Sequence, residues 1–229
     1  ANLWYAAGGA TGVLTGVRGD PGDASLDFLQ FSGGAPVATG QALIGGVYSQ
    51  VHWGIWREGT FDAVNSSTGP YAVTGDWHYM FASNLQPDPS VLTATLTGSF
   101  TYDYVGGTPL TNSTGAADFT NVATIGRILG GQLNVDFGSA LMQADLGLSL
   151  PDVLTPVAVS GGGSLTQFYA TGLTLADGLG VVSGNIQGAF VGPAAEGAIS
   201  AVEINDAGNN ANYQGMAAFE RTGPGVALP

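Results

Sequence analysis

Apolar and polar residues alternate over most of this chain, the two-residue period of strands that bury one face. Residues 91–105 show it most clearly. Leu92, Ala94, Leu96, Phe100, Tyr102 and Tyr104 fall on one side, and Thr93, Thr95, Thr97, Ser99, Thr101 and Asp103 on the other. The pattern predicts one long strand that bends at Gly98, where the apolar register lacks a side chain. Residues 132–137 alternate again with Leu133, Val135 and Phe137 inward, and Gly138-Ser139 turns the chain into a further strand over 140–150. Strands over 183–191 and 198–204 are expected as neighbours around Gly192-Pro193, with a last strand over 214–221. Gly106-Gly107, Gly130-Gly131, Gly161-Gly162-Gly163 and residues 206–210 read as turns or loops. Only residues 112–129 hint at a helix, through Phe119, Val122, Ile125, Ile128 and Leu129, with an irregular strand as the equal alternative. The expected fold class is all-β and antiparallel. Gln86-Pro87-Asp88-Pro89 marks a boundary between an N-terminal β portion, 1–85, and a C-terminal portion, 86–229, though one continuous domain fits as well.

Composition decides that this chain folds. Its 38 Gly and 11 Pro suit many short strands and tight turns, while 10 Phe, 8 Tyr and 4 Trp supply the apolar bulk that disordered chains lack. Charge then narrows the partners. The cations are Arg18, Arg57, Arg127 and Arg221, with no Lys, against 17 acidic residues, leaving a net charge of −13. Nucleic acid needs clustered Lys and Arg and is excluded as a partner; an anionic bilayer is disfavoured for the same reason. Schiff-base chemistry and a P-loop both need a lysine and are excluded too. No cysteine occurs, so stability rests on packing and sheet closure. No apolar run of about 18 residues is present, so no membrane-spanning helix is expected. The first residues, Ala1-Asn2-Leu3, suit a processed, exported chain, and a secreted or cell-surface location is expected.

Candidate chemistry is sparse. His52 lies in Val51-His52-Trp53-Gly54-Ile55-Trp56, and His78 in Asp76-Trp77-His78-Tyr79-Met80-Phe81. The expectation is two aromatic-rich strands that pack together, with the histidines hydrogen-bonded and no haem or metal between them. Trp53, Trp56, Trp77, Tyr79 and Phe81 are expected to form one buried aromatic cluster. Asp20 and Asp23, and separately Asp206 beside Asn209 and Asn210, offer oxygen donors as weak Ca²⁺ candidates, but neither loop has the ligand spacing of a known Ca²⁺ motif. No nucleophile elbow, zinc-helix motif or phosphate loop appears. The chain is read as non-enzymatic and without a cofactor.

A resemblance enters in the C-terminal half. Gly184-Asn185-Ile186-Gln187-Gly188-Ala189-Phe190-Val191-Gly192-Pro193-Ala194-Ala195-Glu196, followed by Gly215-Met216-Ala217-Ala218-Phe219, resembles the closing strands of transferrin-binding-protein-like β-barrels. Such barrels are appended to secreted or surface proteins of Gram-negative bacteria, including some with FecR-type domains. Gly131-Gln132-Leu133-Asn134-Val135-Asp136-Phe137-Gly138 is similar to the strand that precedes them. The resemblance implies an up-and-down barrel of about eight strands, a surface location and a tendency to bind proteins. It does not carry over iron acquisition, which in those proteins goes with long decorated loops and a lipidated cysteine.

Function turns on strand edges. A sheet protein usually blunts its edges with lysine, and this one has none. Its edges are therefore closed, or they pair with another chain. The first expectation is a self-assembling structural subunit of a bacterial surface filament or matrix. Its donated strand would be the N-terminal segment bearing Leu3, Trp4, Tyr5, Val13, Leu14 and Val17. The alternative is a monomeric surface protein that binds a host protein, a glycan or a small ligand. A third reading, an outer-membrane barrel, lacks the aromatic girdles of lipid-facing strands, and no insertion into a bilayer is expected.

Overall fold

Among the described residues, the first part of the chain forms nine strands. These are β1 (Tyr5–Gly8), β2 (Leu14–Arg18), β3 (Phe28–Ser32), β4 (Ala35–Ile44), β5 (Ser49–Arg57), β6 (Thr60–Val64), β7 (Tyr71–Ala72), β8 (Asp76–Ala82) and β9 (Leu85–Gln86). The structure is a computed structural model that describes residues 5–8, 14–18, 28–32, 34–46, 49–57, 60–64, 71–72, 76–86, 88–113, 121–151, 153–225 and 227–228. In β1, β2, β3, β6 and β7 only backbone pairing is described. Those five strands pair in the order given to form one sheet, and β4, β5 and β8 form another.

Helix α1 (Pro89–Thr95) leads into the barrel strands β10 (Ser99–Gly107), β12 (Arg127–Asp136), β13 (Leu141–Ser149), β14 (Val157–Ser164), β15 (Leu173–Ala176), β16 (Val182–Val191), β17 (Gly197–Asp206) and β18 (Ala211–Pro224). The short β11 (Thr111–Asn112) lies against β18, and helix α2 (Leu165–Ala170) links β14 to β15. Each of the eight barrel strands pairs antiparallel with the next, and β10 pairs with β18 to close the ring. The expected fold class is what the structure has: an all-β, closed, up-and-down barrel with additional N-terminal strands.

Alternation puts one face of every barrel strand inside. Along β13, Met142, Ala144, Leu146 and Leu148 are buried while Gln143 is exposed and Asp145 half-buried. The interior is filled by rings. Phe190 lies 5.5 Å from Tyr102, 5.4 Å from Phe137 and 5.9 Å from Phe168, centroid to centroid. Tyr102, Val135, Phe137, Phe190 and Phe219 are core residues as expected; Leu96 and Phe100 pack against that core from partly exposed positions. Phe168 on α2 and Leu92 on α1 seal one end. Gly188 makes room for Phe168, because a Cβ there would press on the Phe168 ring at 2.6 Å and on the Ile199 carbonyl.

Three local expectations need correction. Residues 91–95 are helical, not extended. Asp88 caps the helix by accepting the Ser90 amide at 2.8 Å, and Pro89 sits in the first turn, where its missing N–H costs nothing. This start signal outweighs the apolar alternation of Leu92, Ala94 and Leu96. The triplet Gly161-Gly162-Gly163 is part of strand β14, because a Cβ at Gly161 would strike the Thr174 carbonyl of neighbouring β15. Gly106-Gly107 and Gly130-Gly131 likewise lie in strands. The helix hinted at over 112–129 reduces, among the described residues, to a single 3-10 turn at Val122–Thr124.

The β4–β5–β8 sheet lies on the outer wall of the barrel. Ile44, Val51 and Trp53 pack against Val191, Ile199 and Ala218, which point outward from β16, β17 and β18. Those strands are therefore buried on both faces where the sheet covers them, while Ser183, Glu203, Asn205 and Asn212 farther along their outer faces stay exposed. Polar links fix the join: Gly45 N–H donates to Glu220 Oε1 at 3.0 Å, and Gln214 Nε2 donates to the Asp76 carbonyl at 3.1 Å.

Candidate binding surface

Side chains fill the barrel interior, so the outer wall and the ends are its accessible surfaces. Most of the outer wall is polar: Thr101, Asn134 and Gln143 align across β10, β12 and β13, as do Asp103, Gln132 and Asp145. Thr101 Oγ1 donates to Asn134 Oδ1 at 3.1 Å, and Gln132 Nε2 donates to Asp103 Oδ1 at 2.9 Å. A lipid-facing barrel has the opposite pattern, apolar outside and polar within.

Strand direction assigns the loops to ends. β13, β15 and β17 all end where β14, β16 and β18 begin, so the connections around Leu154, Leu179 and Asn209 emerge from one end of the barrel. The two helices occupy the opposite end. At the loop end the side chains break the polar rule. Leu154 is 102% and Leu179 is 85% exposed, and Val181 beside it is also exposed. Val105 on β10 and Leu129 on β12, both at β-bulges, add exposed aliphatic surface on adjacent strands.

The Leu179 loop is held firmly. The Asp177 carboxylate accepts N–H groups from Leu179 (2.9 Å), Gly180 (2.8 Å), Val181 (3.3 Å) and Val182 (3.1 Å). Desolvation pushes this carboxyl up, but the four donors outweigh it and hold the group below the usual carboxylate range. Gly178 and Gly180 supply the φ values of 74° and 76° that such a tight wrap requires. The next loop is tied to it, since Ala207 N–H donates to the Val181 carbonyl at 3.0 Å.

Asp206, one of the three Ca²⁺ candidates, sits in that second loop. Its Oδ1 accepts the Asn209 N–H at 3.2 Å and its Oδ2 accepts Asn209 Nδ2 at 2.8 Å, the arrangement of a side-chain-closed turn. Asp20 and Asp23 lie outside the described residues.

The aromatic segments form adjacent strands, β5 and β8, as expected, but their side chains divide between two faces. In the register Ile55 faces His78 and Trp56 faces Trp77. Trp53 therefore points toward the barrel, where a Cβ on Gly106 would touch its ring at 2.7 Å. Trp56, Trp77, Tyr79 and Phe81 belong to the opposite face, where His52 stacks on Phe81 at 5.1 Å. The five residues are not one cluster.

His78 is buried at the join between the sheet and the barrel. Its Nδ1 lies 2.7 Å from Thr108 Oγ1 and its Nε2 lies 2.7 Å from Thr111 Oγ1, so hydroxyls occupy both ring nitrogens. Thr108 Oγ1 also accepts the Met216 N–H at 2.8 Å. Burial lowers the His78 pKa to about 4, against a smaller upward pull from Asp76. Asp76 in turn accepts two bonds of 2.8 Å from Arg57, through Nε and Nη2.

Of the assembly-strand candidates, Tyr5 lies in β1 and Leu14 and Val17 in β2; Leu3, Trp4 and Val13 lie outside the described residues. β1 pairs with β2, with Tyr5 opposite Arg18, and β2 pairs onward with β3. β1 is the last strand of its sheet.

The structure is similar to the N-lobe domain of lactoferrin binding protein B of Moraxella bovis, with a TM-score of 0.43 and 11% identity over 96% of this chain and 97% of that one. It is also similar to isotype 1 transferrin binding protein B from serogroup B Neisseria meningitidis, with a TM-score of 0.37 and 12% identity over 93% of this chain and 40% of that one. A mutant transferrin binding protein B from Haemophilus parasuis gives a TM-score of 0.36 and 10% identity, over 90% of this chain and 40% of that one. No protein-family model and no curated protein matches the chain.

Proposed function

We propose that this chain is a non-enzymatic, surface-displayed β-barrel binding protein that grips a protein partner with the loop end of its barrel. The observation that carries the reading is the pair Leu154 and Leu179, the two most exposed large aliphatic side chains among the described residues, at one end of a largely polar wall. Burying such a side chain against a partner is worth about 1.5–3 kcal/mol. The Asp177 brace lowers the ordering cost, because the Leu179 loop already holds one shape before the partner arrives. Binding residues carried by loops on a rigid scaffold are a common arrangement. The net charge of −13 suits a protein surface better than an anionic bilayer. Extracellular display is part of the proposal and rests on the lysine-free, cysteine-free composition.

Closure of β10 on β18 weighs against filament assembly through the barrel, since it leaves the ring without an edge. Strand donation would have to use an edge of one of the other two sheets, which end at β1, β7, β4 and β8 among the described residues. The polar outer wall weighs against a membrane barrel.

The test compares the protein with a Leu154→Asp/Leu179→Asp double variant by biolayer interferometry against fractionated serum and cell-surface proteins. The expected result is saturable binding of one component that weakens at least about tenfold in the variant, with unchanged thermal unfolding because both residues are exposed. Equal binding by both proteins would overturn the proposal.

A further inference from the structure

A concave feature lies on the barrel wall, distinct from the apolar loop tips. It is a groove of about 480 Å³ on the outer face of β16, β17 and β18, between β15 on one side and Ser113, just past β11, on the other. Two register rows supply its side chains: Asn185, Glu203 and Gln214 in one, and Ser183, Asn205 and Asn212 in the next. The volume falls within the range of small-ligand sites.

The polar inventory is specific. Asn205 Nδ2 donates to Asn212 Oδ1 at 2.7 Å, which orients both amides and leaves the Asn205 oxygen and the Asn212 nitrogen for an outside partner. Gln214 Nε2 is committed to the Asp76 carbonyl, so its Oε1 is the group it offers. The Glu203 carboxylate, exposed, accepts no hydrogen bond from any described residue. Neither Arg57, Arg127 nor Arg221 lines the groove.

We infer that this groove binds a neutral saccharide. A ligand bearing phosphate, sulfate or carboxylate would meet Glu203 with no cation among the described lining residues to offset it. An apolar ligand would strip water from at least four amide and carboxylate side chains without replacing their hydrogen bonds. A sugar hydroxyl both donates and accepts, so neighbouring hydroxyls can satisfy an amide oxygen, an amide N–H and a carboxylate together. The inference is independent of the loop-end proposal, and its test does not touch Leu154 or Leu179.

The experiment is a ¹H–¹⁵N NMR titration of the full chain with a panel of neutral trisaccharides: maltotriose, cellotriose, chitotriose and mannotriose. Side-chain NH₂ signals of Asn185, Asn205, Asn212 and Gln214 should shift saturably with at least one sugar. Asn205→Ala/Asn212→Ala should weaken that binding at least about tenfold, the scale of two lost hydrogen bonds. Absence of saturable shifts with every panel member up to about 10 mM, the weak limit of useful affinity, would overturn the inference. So would shifts that persist in the Asn205→Ala/Asn212→Ala protein. Spermidine titrates the competing possibility: if it moves these signals and the sugars do not, with the effect lost in Glu203→Gln, the groove is a cation site and the inference fails.

Discussion

At the scale of single residues, His78 gives the protein an acid sensitivity of definite sign. Its ring is neutral in the folded state because burial depresses its pKa to about 4, from an ordinary value of 6.5. The unfolded chain therefore binds a proton at pH values where the folded chain does not. Stability from this group is complete above pH 6.5 and is lost as pH falls toward about 4, amounting to on the order of 3 kcal/mol across that window. A protonated ring would donate from both nitrogens, and Thr108 Oγ1 would then receive Nδ1–H as well as the Met216 N–H. Asp76 is the charge that opposes the shift, and Arg57 holds it in place. Melting temperature followed from pH 7 to pH 4 should fall steeply, and His78→Gln should flatten the slope. An identical slope in both proteins would assign the acid sensitivity elsewhere. His52 is lowered in the same direction by burial, more weakly placed on a partly exposed face.

At the scale of elements, the Asp177 loop is the part whose rigidity matters most for binding. Asp177→Ala removes the acceptor for four amides while leaving the flanking pairs Leu175–Gly184 and Ala176–Ser183 intact. Hydrogen exchange at Leu179, Gly180, Val181 and Val182 should accelerate markedly in that variant, with exchange in β16 and β17 unaffected. Unchanged exchange would mean that the loop holds its shape without the carboxylate. This loop was not legible in the sequence. Its leucine sits between glycines, where neither a two-residue nor a 3.6-residue period exists to single it out, and exposure is a property of the folded end. By contrast β13, β16, β17 and the second half of β12 are legible, because Leu133 and Val135 or Ile186 alternate with polar neighbours. At helix α1 two sequence signals compete. The cap Asp88-Pro89 is a local and sufficient start, but the alternation of Leu92, Ala94 and Leu96 is the louder pattern. The split of the aromatic residues was present in the numbering, since Trp53 and Trp56 are an odd number of positions apart and must leave opposite faces of one strand.

At the scale of the whole molecule, closure lets the barrel do without lysine guards on its strands. Closure removes the barrel's edges, and the β4–β5–β8 sheet covers Val191, Ile199 and Ala218, which would otherwise be an exposed apolar strip. The barrel has little need of charged guards, whereas the other two sheets end at β1, β7, β4 and β8 among the described residues. The sequence showed that edges had to be managed, but not by which route, because closure depends on the pairing of β10 with β18 across more than a hundred residues. Sedimentation velocity on the intact protein, across the highest concentrations it reaches, tests the self-sufficient barrel most directly. A single species of 23.0 kDa at every concentration is the predicted result. A concentration-dependent ladder of oligomers or sedimenting filaments would contradict it and return the open edge of β1 to the centre of the protein's function.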